Sequence, residues 1–220
     1  MTTSSAAGPT FSAAEWQLLL RFRCGAPCFQ QASKCSGCGS RMDSLGYHSL
    51  SCPHNGMHRR HNHVRDALFH LCASAHWGPA LEVALPNSTS RPADLLLRSL
   101  SVKPVAIDVT VSHPLRPSAP SAVRAATTSA AALAEQHKNS VSKGLCAAVG
   151  WDFLPFGFDS VRGLRPPARG LCQKLAKHLA MQAGASAANT ALTVGQQLSL
   201  ALAKGRGEML SAATPIRPSP

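Results

Sequence analysis

The chain has 220 residues and a formal net charge of +12, set by 22 Lys and Arg against 10 Asp and Glu. That length carries one substantial core plus a small stapled module, and no segment approaches the roughly 18 uninterrupted apolar residues of a membrane-spanning helix. Met1-Thr2-Thr3-Ser4-Ser5 lacks the basic start and apolar stretch of a signal peptide, so the expectation is a soluble, intracellular protein with a polyanionic partner and no membrane.

Residues 1–12 are expected to be disordered, and Ala13 to Arg23 to form a short helix offering Trp16, Leu19, Leu20 and Arg23 for packing. Next comes Cys35-Ser36-Gly37-Cys38, then nine residues, His48, three residues and Cys52. This is a zinc spacing: two Cys separated by two residues clasp one ion from a Gly-containing turn, and a His and a Cys separated by three close the tetrahedron. The segment is too poor in apolar residues to bury itself without a structural metal. His54 and His58 are spare ligands, Cys24 and Cys28 read as packing residues, and Cys72, Cys146 and Cys172 stand in apolar contexts as core. Eight cysteines arranged around such a motif imply a reducing compartment and metal, not disulfides.

From His58 to Trp77 apolar residues at 64, 67, 68, 71 and 72 follow a helical period behind a basic first turn. Arg59, Arg60, His61 and Arg65 are the candidates for nucleic-acid contact. Leu81 to Leu85 alternates around Glu82 as a strand ended by Pro86-Asn87. Two further strands follow, Leu95-Leu96-Leu97 and Val105-Ala106-Ile107, with Asp94 and Asp108 on them. Both are apolar enough to be buried, where an unpaired carboxylate is expensive, and a hard divalent ion such as Mg²⁺ or Mn²⁺ removes that expense. Two Asp at adjacent strand ends suit phosphodiester chemistry, with Glu82 as accessory acid. The competing reading is that Asp94 pairs with Arg91 or Arg98 to hold the strands. Pro114 and Pro117 stop the third strand, Ser121 to Lys143 reads as an Ala-rich helix, and Val149 to Phe153 as a fourth strand broken by Pro155 and Gly157. After a loop over Arg162 to Arg169, helices at 168–183 and 188–205 finish the fold before a Pro-rich tail.

The Cys35, Cys38, His48 and Cys52 quartet, followed by Arg60-His61-Asn62, Glu82, Arg91-Pro92-Ala93-Asp94 and Asp108-Val109-Thr110-Val111, resembles the C-terminal part of non-LTR retrotransposon polyproteins, in which a CCHC zinc motif precedes a restriction-like endonuclease. Lys138, Gly150, Phe153, Pro155, Gly163 and the closing run Gln196 to Leu202 extend the resemblance over residues 20 to 210. It implies an α/β, restriction-endonuclease-like PD-(D/E)XK core preceded by a zinc module, with Asp94 and Asp108 as the magnesium-binding acids. Thr110 stands where many nucleases of the superfamily carry their Lys. In the retrotransposon branch that Lys is displaced onto the following helix, which makes Lys138 the candidate and Lys143 the second.

The expected organisation is a disordered N-terminus (1–12), a helix plus CCHC module (13–57), a PD-(D/E)XK-like core (58–165), C-terminal helices (166–211) and a disordered tail (212–220). The expected activity is that of a metal-dependent endonuclease of retrotransposon type that nicks target DNA by a metal-activated water, with zinc as structural metal, magnesium or manganese as catalytic metal and a nuclear location. The chain lacks a reverse-transcriptase domain and reads as a fragment or a host-captured piece. The alternative is a catalytically inactive, zinc-containing module that grips DNA or RNA while the acids are relics.

Overall fold

The computed structural model describes residues 9–29, 34–115, 129–159 and 163–213. The expected disorder of residues 1–8 and of the tail from 214 lies outside the described residues, as do residues 121–128 of the expected Ala-rich helix. The chain forms two compact units, one of residues 1–63 with 199–220 and the other of residues 64–198. The division therefore falls after His63, and the last helix is split between the units instead of standing in a separate C-terminal layer.

In the first unit, α1 (Ala13–Arg23) starts at a capping box: the Ser12 hydroxyl accepts from the Glu15 N–H while the Glu15 carboxylate accepts from the Ser12 N–H. The same unit holds the start of α2 (Met57–Ser74) and the end of α5 (Ala187–Ala212). A core of Cys28, Phe29, Met42, Leu50, Met209 and Leu210 also takes in Cys35 and Cys52. Helix α5 runs on to Ala212 although the sequence suggests an end near 205, and its glycines are the reason it packs. A methyl at Gly205 would lie 2.5 Å from the Arg60 Cα, and one at Gly207 would lie 3.1 Å from the Glu15 Cβ.

The second unit is a mixed sheet in the order β1 (Pro79–Leu81), β2 (Leu95–Leu97), β3 (Val105–Ser112), β4 (Asp152–Asp159) and β5 (Gly163–Leu164). All neighbours are antiparallel except β3 and β4, which run parallel and are joined through α3 (Ala130–Ala148). A crossover helix is what a parallel pair requires. Helix α3 packs on β3 and β4, and α4 (Pro166–Ala183) packs on β4. One sheet face carries Leu95, Leu97, Val105, Ile107 and Phe156, all buried. The other carries Leu96 and Ala106, which cluster with Cys146 of α3 and with Trp151 and Phe153.

Two expected strands differ from those found. Leu81 ends β1 instead of opening a strand, because Glu82 adopts a left-handed backbone (φ 50°) and gives its N–H to the Asp94 carbonyl at 2.9 Å. Strand β4 begins at Asp152 and runs through Pro155 and Gly157. Proline is tolerated there because β5 pairs only with Phe158 and Asp159, leaving that side of Pro155 without a ladder partner. Gly157 lies under α3, where a Cβ would collide with the Glu135 carboxylate.

These contacts predict opposite outcomes for two helical glycines. Gly205→Ala should lower the unfolding free energy by about 1–3 kcal/mol through overpacking against Arg60. Gly195→Ala, with nothing within 4 Å of the new methyl, should raise it by about 0.5–1 kcal/mol through helix propensity. Urea denaturation of both variants checks the pair, and shifts of the same sign would contradict the packing described.

Candidate functional site

Chemically capable side chains gather in both units. In the first unit, Cys35 to Gly39 form a tight turn: the Gly39 N–H donates to the Cys35 carbonyl (2.8 Å) and the Cys35 N–H to the Ser40 carbonyl (2.8 Å). Gly39 takes a positive φ of 72°, which glycine adopts without strain. Asp43 then seats the other half of the cluster, its carboxylate accepting from the Tyr47 N–H (2.9 Å) and the His48 N–H (2.8 Å). The Cys52 N–H donates to the His48 carbonyl at 2.9 Å, so one turn of chain carries both residues on one side.

The ligand atoms of Cys35, Cys38, His48 and Cys52 lie within 4.8 Å of one another. The Cys35 and Cys52 sulfurs are 3.8 Å apart, and the Cys38 Sγ is 3.2 Å from the His48 Nε2. A tetrahedral ion with Zn–S near 2.3 Å holds two thiolates about 3.8 Å apart, so the spacing fits. Hydrogen bonding from Ser40 lowers the Cys38 thiol to about 6, whereas burial pushes Cys52 up to about 11. Asn55, which the spacing argument did not single out, is buried with its Oδ1 3.8 Å from the Cys35 Sγ. The cluster could hold a structural metal such as zinc. Cys28, Cys72, Cys146 and Cys172 are buried as expected, but Cys24 is exposed and packs no core.

In the second unit, Asp94 and Asp108 come together by register. Leu95 pairs with Ile107, and the residue before it, Asp94, brings its side chain into hydrogen-bonding contact with Asp108. Asp94 also ends the ladder. Its N–H still donates to the Ile107 carbonyl (3.0 Å), but the Val109 N–H finds the Asp94 carboxylate in place of a backbone carbonyl. Asp108 is buried, and the Lys138 Nζ of α3 reaches its Oδ2 at 2.9 Å. Burial pushes the Asp108 carboxyl up to about 6; the hydrogen bond and charge of Lys138 pull it down, and the charge and hydrogen bond of Asp94 push it up again. The same Asp108 charge adds to burial in raising the Cys146 thiol.

Glu82 meets this pair only through its backbone; its carboxylate faces Arg65 at 3.3 Å. The basic start of α2 differs from the expectation. Arg59 is exposed and His61 half-buried, but Arg60 is 2 % exposed and donates from Nη1 to the Leu50 carbonyl at 2.8 Å, so it is a core residue with no face for a phosphate. Arg65 is occupied by Asp66 (2.8 Å) and Glu82. Composition marks these arginines as basic without revealing which face of the helix packs. Sequence reasoning also missed Glu135, whose buried carboxylate pairs with Arg165 at 3.2 Å; its spacing of three from Lys138 was the available signal.

No model of a known family, no curated protein and no solved structure matches this chain. Among the described residues no helix is long and apolar enough to cross a membrane.

The Asp108 environment sets a pH dependence in metal-free buffer. A carboxyl raised from 3.8 to about 6 in the folded state contributes stability that is fully present below the lower value and is lost as pH rises through the upper one. Asp108→Asn should therefore flatten the stability profile between about pH 4 and 6 and leave the variant more stable at pH 7 by roughly 1–3 kcal/mol. Urea midpoints measured in chelator across that range test this, and parallel profiles would contradict it.

Proposed function

We propose that the chain is a metal-dependent DNA endonuclease of retrotransposon type, with a PD-(D/E)XK core in the second unit and a structural zinc in the first. The observation that carries this reading is the facing pair Asp94 and Asp108 with Lys138 at 2.9 Å from Asp108. The order β1, β2, β3, α3, β4, with its single parallel pair, supports it. Thr110 at the usual Lys position is compensated by a lysine arriving from α3, as the resemblance implies.

A divalent ion bound by the two carboxylates would supply Lewis-acid stabilisation to the phosphodiester under attack. The protein's part is positioning. The Val109 N–H fixes one Asp94 oxygen, and the Asp94 side chain is hydrogen-bonded to Asp108. Burial keeps Asp108 weakly hydrated, so an ion meets little competing water there. Lys138 neutralises Asp108 before the ion arrives and then offers its donors to a phosphate oxygen. The net charge of +12 draws the polyanion. A DNA target fits a nuclear or otherwise intracellular location.

The expected result is nicking of supercoiled plasmid that requires Mg²⁺ or Mn²⁺. Asp94→Ala and Asp108→Ala should abolish it while DNA affinity holds or improves, because removing acid relieves repulsion of phosphate. Lys138→Ala should slow it about 10²-fold to 10³-fold. Nicking that persists in Asp108→Ala would overturn the assignment, and a wild-type chain that binds but never nicks would favour the inactive binding module.

For the first unit, metal analysis of freshly purified, reduced protein should return about one zinc per chain. Cys38→Ala should lose the ion and lower the melting temperature of this unit, since the metal-binding energy is folding energy. A metal-free wild type with an unchanged melting profile in the variant would mean that the cysteines are merely packed.

A further inference from the structure

We propose that Arg165, held by Glu135, seats the DNA phosphate adjoining the one under attack, a subsite that rests on the endonuclease reading of the second unit. The starting observation is a second carboxylate–cation pair on the sheet face that carries Asp108. Glu135 and Lys138 are three residues apart on α3 and so share a helix face. In the β3–β4 register Asp108 is opposite Pro155 and Thr110 opposite Gly157. Glu135 and Arg165 both crowd Gly157, where a Cβ would strike the Glu135 carboxylate and lie 2.9 Å from the Arg165 Cγ. The Glu135–Arg165 pair is thus displaced from the Asp108–Lys138 pair by one two-residue step, about 6.6 Å along the strands at 3.3 Å per residue.

The pair is built asymmetrically. Glu135 is the anchor: its side chain is 9 % exposed, and its Oε1 has no hydrogen-bond partner among the described residues. Arg165 is 31 % exposed and uses Nε alone on Glu135, at 3.2 Å, while its backbone N–H donates to the Gly157 carbonyl at 3.0 Å. Among the described residues Nη1 and Nη2 carry no hydrogen bond. A pair made only to hold elements together gains most from two parallel bonds, and burying a carboxylate for a single one is a poor route to stability. Held from the side, the guanidinium instead presents its fork outward, the geometry that receives two oxygens of a phosphodiester. Two cations, each backed by a buried carboxylate, follow one another along the same face. A nucleic-acid strand laid along it has one phosphate at Asp94, Asp108 and Lys138 and the next at Arg165. Glu135 acts as a positioning residue and touches no substrate.

Salt-dependent binding of a fluorescein-labelled DNA duplex, measured in Ca²⁺ alongside Mg²⁺-dependent plasmid nicking, tests this on the full chain. Arg165→Gln should lower the slope of log K against log salt by about 0.9, one phosphate contact, and slow nicking about 10-fold to 100-fold. Glu135→Gln, which leaves Arg165 unanchored, should slow nicking by a similar factor with the slope retained. If Arg165→Gln does not fold, Arg165→Lys serves: it should keep the slope and lose the rate, because its charge is kept and its fork is not. An unchanged slope in folded Arg165→Gln, a wild-type rate in Arg165→Lys, or no DNA binding by the wild type would overturn the subsite. A wild type that fails to nick while Arg165→Gln still loses one contact would sink the nuclease reading and leave the phosphate seat standing.

Discussion

A carboxylate in the middle of a buried strand is the constraint around which the second unit is arranged. Asp108 sits between Ile107 and Val109, both almost fully buried, on a strand with neighbours on each side. A charge there needs a partner or must bind a proton. The fold answers with Lys138, which arrives from α3 as a partner, and with a raised proton affinity, which burial causes and the facing Asp94 adds to. The crossover helix therefore does more than join parallel strands. Its inward face is read out as Glu135, Lys138, Ser142 and Cys146, which meet the sheet in that order and convert an apolar layer into a charged one.

Asp94 shows how a strand end becomes a site. Its backbone still belongs to the ladder, while its side chain takes the next ladder bond from Val109 and its carbonyl serves Glu82. One residue thus stands at the start of β2, meets the neighbouring chain at a left-handed Glu82, and brings its carboxylate beside Asp108. A strained non-glycine residue persists where its surroundings over-determine it, and Glu82 is held by the Asp94 carbonyl on one side and Arg65 on the other.

The first unit solves a different problem. Its core counts two thiols of the cluster that could hold a metal, Cys35 and Cys52, among its buried members, so residues that pack the core also offer ligand atoms. Two arginines, Arg60 and Arg206, are buried as well, and burial together with the charge of Arg206 lowers Arg60 to about 10. The Leu50 carbonyl accepts from the buried Arg60 guanidinium, and Gly205 leaves room for the Arg60 backbone against the last helix. Charge that composition assigns to the surface is here structural.

What the sequence by itself determined was local. The spacing of Cys35, Cys38, His48 and Cys52 pointed to a quartet that could hold a metal because ligand geometry is short-range, and the apolar runs beside Asp94 and Asp108 pointed to strands. Helix α1 was legible at its observed bounds, and α4 was legible too, although the expected loop took in Pro166 and Pro167, which begin that helix. The tertiary structure decided the rest. Whether Arg60 meets water depends on a helix more than a hundred residues away. Pro155 and Gly157, which read as strand breakers, are strand residues because one lies beside an unpaired edge and the other beneath Glu135. The union of Asp94 with Asp108, Lys138 with Asp108, and Glu135 with Arg165 follows from register and crossover. Pairings between distant segments are selected by the summed burial of whole elements, and no short stretch of sequence contains that sum.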